Sequence, residues 1–149
     1  MRDFMITTDS NSDLPQEYID KLGTVIIPQY YSFGDTVYGD KLHMPPAEFY
    51  ERMKNGELPQ SQANNPAVIE EKFRSVLDKG LDIIHIAFSS ALSGSYNNVC
   101  MVARELYEEY ADARITVIDS MNVSLGETLL LLHATERKKE GATYEEIVA

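Results

Sequence analysis

Apolar residues along this chain fall into short runs, each closed by a polar or glycine-containing break, which is the pattern of strands alternating with helices. Residues 4–7 predict a first strand, and Thr8-Asp9-Ser10-Asn11-Ser12-Asp13 a polar loop into a helix that begins near Pro15, where a missing N–H costs nothing. Gly23 ends that helix, residues 25–27 predict a second strand, and Pro28 leads it out of the sheet interior. Residues 30–33 and 36–38 flank Gly34-Asp35, a pair that favours a two-residue hairpin turn. Pro45-Pro46 opens a helix to about Lys54 that Asn55-Gly56 closes, and Asn65-Pro66 opens another to about Lys79 that Gly80 closes.

The most informative stretch is 83–98. Ile83, Ile84, Ile86, Ala87 and Phe88 read as a strand buried on both faces, as in a parallel sheet with helices on each side. Ser93, Gly94 and Ser95 then precede a helix carrying Val99, Val102, Ala103 and Leu106, so backbone N–H groups and hydroxyls converge on a spot suited to a carboxylate or phosphate. Spacing alone leaves open that Ser93 or Ser95 is only an N-cap. Residues 115–118 predict a further strand ending at Asp119-Ser120, and 125–139 a helix. Thr143 and Glu146 form a capping-box pattern for a last helix that runs to Ala149, and so short a final helix points to truncation.

The expected fold is therefore one α/β domain over residues 1–149: a Rossmann-like parallel sheet with helices on both faces and a small antiparallel hairpin. Open sheets of this kind bind ligands outside the carboxyl ends of their strands, which places the loops 8–13, 89–95 and 119–124 at one crevice.

Composition narrows the function. The 149 residues, 44% hydrophobic, suffice for one sizeable core, and 24 acidic against 13 basic residues give a formal charge of −11, which argues against nucleic acid as a partner. No apolar leader follows Met1, and the longest aliphatic run, 129–132, is too short to span a bilayer, so a cytoplasmic location without a transmembrane segment is expected. Cys100 is alone and reads as a small core residue. His43, His85 and His133 are scattered without ligand spacing, His85 reading as a core histidine, and neither a G-x-G-x-x-G nor a P-loop is present, so neither metal nor cofactor is expected.

Four ordered motifs carry a resemblance across essentially the whole chain: T-T-D-S-N-S-D-L-P at 7–15, S-Q-A-N at 61–64, F-S-S-A-L-S-G-S-Y-N at 88–97 and V-I-D-S at 117–120. Together they resemble the DegV family of bacterial fatty-acid-binding proteins, some of which present the bound acyl group to a fatty acid kinase. The resemblance implies a non-enzymatic carrier whose long-chain fatty acid lies between this Rossmann-like domain and a second α/β domain that is missing here. It implies that Ser93, with Gly94 and Ser95 beside it, holds the carboxylate, that Ser61 and Gln62 also reach it, and that Asp9, Ser10, Asp119 and Ser120 shape the pocket mouth. The chain departs from the family pattern at Gln60, where threonine is usual, and at Thr128, where glycine is usual.

Phe88, Leu92, Ile118, Met121, Val123 and Leu125 flank the proposed mouth, either lining an acyl pocket or simply packing in the core. Two other function classes stay open. Ser93, Asp119 and His133 occur in the chain order of an α/β-hydrolase triad, although Ala91 and Ser95 stand where a nucleophile elbow needs glycine. An isolated domain could instead be an interaction module that self-associates through its uncovered face.

Overall fold

A polar residue closes nearly every apolar run where the chain must turn, and the computed structural model, which describes residues 2–149, follows that punctuation. In chain order the elements are β1 (Phe4–Asp9), α1 (Gln16–Leu22), β2 (Ile26–Ile27), β3 (Tyr30–Phe33), β4 (Thr36–Tyr38), α2 (Pro46–Lys54), β5 (Gln60–Gln62), α3 (Pro66–Leu77), β6 (Asp82–Ala87), α4 (Ser95–Glu109), β7 (Ile115–Asp119), α5 (Leu125–Lys139) and α6 (Tyr144–Val148). The main sheet is four-stranded and parallel, in the order β2-β1-β6-β7. The chain leaves β1 for β2 on one side and returns to β6 on the other, so the winding reverses between β1 and β6. A crevice opens above their carboxyl ends at such a reversal.

β6 is buried at all six positions, because it lies inside the sheet with helices over both faces. Ile83 points into a core shared with Ile27, Ile69, Phe73, Val99, Val102 and Leu106, formed largely by α3 and α4. Its neighbours Ile84 and Ile86 point the other way, against Phe4, Ile6, Leu131 and Tyr144 under α5 and α6. Each such side chain contributes about 1.5–3 kcal/mol by leaving water.

The opposite, amino-terminal end of the sheet is closed by charge. Asp82, 1% exposed, is held by Arg114 Nε at 2.6 Å and Arg2 Nε at 3.1 Å, and also accepts the Arg114 backbone N–H. Arg114 lies over the Tyr144 ring and also pairs with Glu145, so the ion cluster anchors α6 to the sheet.

Three expectations are corrected. β6 stops at Ala87 rather than at Phe88, because the Phe88 N–H is taken by the Asp9 carboxylate. Residues 60–62 form β5, an unforeseen strand that pairs with β3 and turns the hairpin into a three-stranded sheet in the order β4-β3-β5. Gln60, Ser61 and Gln62 are all exposed, so no apolar alternation announces it. Cys100 is half-buried rather than a core residue. It faces a hollow of about 450 Å³ with Arg104, Tyr107, Ile115 and Val117, beside β7, which is an edge strand of the sheet among the described residues.

Candidate functional site

The site is built where β1, β6 and β7 end and their polar loops meet. After Ala87 the chain turns sharply: Leu92 N–H and Ser93 N–H both donate to the Ser89 carbonyl, and Gly94 stands at the N-cap of α4. Gly94 offers no capping side chain, so the Ser93 hydroxyl caps instead, accepting the Ser95 N–H at 3.1 Å. Both readings of the serine loop therefore describe the same atom: Ser93 is a capping residue, and it is partly exposed at a helix N-terminus suited to an anion.

Ser95, 1% exposed, is the hub beneath it. Its hydroxyl accepts from Ser93 Oγ at 3.0 Å and from the Asn64 N–H at 3.2 Å, and donates to Gln29 Oε1 at 2.8 Å. Asn64 Nδ2 donates to the Ser95 carbonyl, and Asn98 Nδ2 donates to the Asn64 carbonyl and side-chain oxygen. These bonds fasten the segment after β5, and with it Ser61 and Gln62, to the first turn of α4. The Gln29 N–H in turn donates to Ser10 Oγ at 2.9 Å, which brings the first loop into the same network. Ser61, Gln62, Ser93, Gly94, Ser95 and Ser10 are thus joined through Asn64 and Gln29, two residues that the sequence reading did not single out. Asn64 closes the S-Q-A-N motif and could have been found there, whereas nothing local marks Gln29.

Asp9, Asp119 and Ser120 hold the loops rather than opening onto them. Asp9, 1% exposed, accepts the Phe88 N–H at 2.7 Å and the Asn11 N–H at 2.9 Å. Burial pushes its carboxyl up, and these bonds hold it down in part. The Gln29 amide nitrogen is near enough to favour the charged form, but it makes no hydrogen bond of ordinary geometry. Asp119 accepts from the Ser90 and Met121 N–H groups; burial raises its carboxyl, but these bonds outweigh it and leave the pKa below the usual range. Ser120 is buried and exchanges bonds with Asn122 across its own turn. The same loop contains Met121 and Ser124 at positive φ, 51° and 55°, a strained backbone for side-chain-bearing residues.

Of the six apolar residues expected at the mouth, Ile118 packs against the core under α5 and Phe88 is half-buried, whereas the other four are exposed. Leu92 is 65% exposed, Met121 67% and Leu125 71%, with Val123 exposed beside them. A polar shelf at a helix N-terminus rimmed by exposed apolar side chains has the chemistry to suit an amphiphile.

The hydrolase constellation does not assemble. His133 is exposed on α5 beside a hollow of about 350 Å³ with Leu130, Arg137 and Ile147, while Ser93 bonds to Ser95 and the Asp119 carboxylate is occupied by backbone N–H groups. His85 is buried as expected, with Nδ1 bonded to Thr7 Oγ1 at 2.9 Å and Nε2 unpartnered; burial pushes its pKa down to about 3, so it is neutral. Among the described residues no group of three metal-ligating side chains exists, and no helix is long and apolar enough to cross a membrane.

A family model described as "uncharacterised protein, DegV family" matches residues 3–149. A DegV domain-containing protein of Clostridium perfringens is 34% identical over 149 residues, covering 99% of this chain and 51% of that protein. Among solved structures, a stearic acid-binding protein from Eubacterium ventriosum superimposes with a TM-score of 0.90 at 29% identity, over 97% of this chain and 50% of the other. A DegV family protein from Thermus thermophilus, described for its fatty acid binding, gives 0.86 at 28% identity, over 99% and 51%. The chain spans about half the length of these relatives.

Proposed function

Because this chain belongs to the DegV family, we propose that it is the carboxylate-holding half of a fatty-acid carrier, with residues 1–149 acting as the amino-terminal α/β domain. The observation that carries this reading is the juxtaposition of a polar loop at a helix N-terminus with exposed Leu92, Met121, Val123 and Leu125. Solved relatives are described as binding stearic acid or fatty acids.

In this reading the Ser93 hydroxyl turns from Ser95 towards the ligand carboxylate, and the first-turn N–H groups of α4 and the hydroxyl of Ser61 add further donors. Gln62 flanks the carboxylate, Gly94 and Ser95 keep the loop in shape, and Asp9, Ser10, Asp119 and Ser120 set its height above the sheet. A buried carboxylate must be met by hydrogen bonds or become protonated, and two hydroxyls with a helix N-terminus meet it. The apolar rim takes the first part of the acyl chain, and the same open end would hand the carboxylate to a kinase.

Extraction of the purified chain under denaturing conditions, followed by mass spectrometry, tests the reading: stoichiometric free fatty acid is expected. If the chain carries none and a fluorescent polyene fatty acid fails to bind it, the carrier reading is wrong.

A further inference from the structure

Glu127 sits in the first turn of α5 with 0% exposure, a burial that a charged carboxylate rarely survives without a cation. Its Oε1 lies 2.6 Å from Thr8 Oγ1, and that same hydroxyl lies 2.9 Å from the Ile86 carbonyl oxygen. A hydroxyl has one proton and cannot donate to both. Glu127 Oε2 is buried and receives no donor, and its carboxyl lies against the side chain and backbone of Asp9. One proton on Glu127 relieves one of these contacts in either position: on Oε2 it is donated to Asp9, which separates the two carboxyls, and on Oε1 it is donated to Thr8, which then donates onward to Ile86. Asp9, which already receives the Phe88 and Asn11 N–H groups, is the charged member of the pair.

The groups bearing on the two carboxyls come from every element packed on them. β1 supplies Thr8 and Asp9 itself, the turn after it the Asn11 N–H, the end of β6 the Phe88 N–H, and the segment after β2 the Gln29 amide. On α5, Thr128 is occupied with the Ser12 carbonyl. Of these only Asp9 and Glu127 titrate. At the end of β7 the Asp119 carboxylate is bound to the Ser90 and Met121 N–H groups.

Asp9 is also the residue that seizes Phe88, the first residue of the loop bearing Ser93. We propose that Glu127, as a neutral acid, is a positioning residue for the Ser93 loop: its proton lets the Asp9 carboxylate stay buried and hold Phe88, and its ionisation releases that hold. The functional half of this inference rests on the fatty-acid reading above; the proton on Glu127 does not. Burial, then the neighbouring Asp9 charge, pushes the Glu127 carboxyl up to about 8. A carboxyl that binds its proton more tightly when folded stabilises fully below its unfolded value, near 4.5. That contribution is lost as pH rises to about 8 and changes no further beyond it.

The test compares the chain with Glu127→Gln, which keeps the shape of the neutral acid. Hydrogen exchange of peptides covering 88–95 is measured at about pH 7 and about pH 9; protection in the parent should fall by about tenfold relative to the variant as the acid ionises. Equal pH dependence in both proteins overturns the proposal. The infrared band of a protonated carboxyl in the parent chain at neutral pH gives a readout that needs no variant, and its absence also overturns it. Binding of a fluorescent polyene fatty acid should weaken above about pH 8 in the parent and stay level in Glu127→Gln. A probe that binds neither protein at any pH breaks the carrier reading, and the exchange result then judges Glu127 alone.

Discussion

The two ends of the parallel sheet each bury a carboxylate, and they do so by opposite means. At the amino-terminal end, Asp82 is enclosed by the guanidinium groups of Arg2 and Arg114, and the latter reaches on to Glu145 and Tyr144. At the carboxyl-terminal end, Asp9 has backbone N–H donors and a second carboxyl, Glu127, but no cation among the described groups that bear on it. The first arrangement is a clamp: opposite charges satisfy each other and leave nothing to offer a ligand. The second holds its carboxylate with the Phe88 and Asn11 N–H groups and, on the proposal above, with a proton that pH can remove. An anion is better received where the protein has not already neutralised its own donors.

Breaking the clamp should have the largest effect. Arg114→Met leaves Asp82 with one cation and removes the cover from Tyr144. A fully buried pair costs about 3–5 kcal/mol to break, but this guanidinium is itself a third exposed, so about 2 kcal/mol is expected in chemical denaturation. Fatty-acid binding by the variant, measured well below its unfolding midpoint, should be unchanged; a loss of affinity there would mean that the two ends are not independent.

On the crevice side, Ser95→Ala strands Gln29 Oε1 and the Asn64 N–H, and about 1–3 kcal/mol of stability should go with them. Ser93→Ala sharpens the contrast: losing the cap of α4 should cost about 1 kcal/mol of stability, and probe binding measured well below the unfolding midpoint should weaken by about 1–3 kcal/mol. Equal affinity in a folded Ser93→Ala chain would remove Ser93 from the site.

The pH profile of stability separates the carboxyls held by donors from the buried Asp9–Glu127 pair without mutation. Asp3 and Asp119 have pKa values below the usual range, so the stability they contribute is present above about 3.8 and is lost as pH falls. Asp9 and Glu127 are shifted upwards, so theirs is lost as pH rises, up to about 8 for Glu127. Thermal stability should therefore peak at mildly acid pH, and Glu127→Gln should flatten the neutral side of the curve without altering the acid side. The smallest effect belongs to the exposed Arg52–Glu57 pair beside the small sheet, where Glu57→Gln should not move the midpoint measurably.

Much of this could be read before any coordinates, and the parts that could not share a cause. The Thr143–Glu146 capping box stands where the sequence put it, because that signal is local and a helix satisfies most of its own hydrogen bonds. The hairpin turn at Gly34 follows for the same reason. β5 was illegible because Gln60, Ser61 and Gln62 bury nothing, and only β3 makes them a strand. Ser93 and its loop stood out as hydroxyls at a helix start, but the serine hub at Ser95 with Gln29, 66 residues away in sequence, did not.

The sequence by itself determined the strand–helix alternation, the polar loops at three strand ends and the motifs that mark the family, since each depends on residues close together along the chain. The tertiary structure alone decided which polar groups share a partner. Glu127 reads as an ordinary acidic residue in the first turn of a helix until a Thr8 hydroxyl with one proton is found 119 residues away, between it and the Ile86 carbonyl. Periodicity records which face a residue shows, but the protonation of a buried acid is set by the donors and charges that folding brings around it.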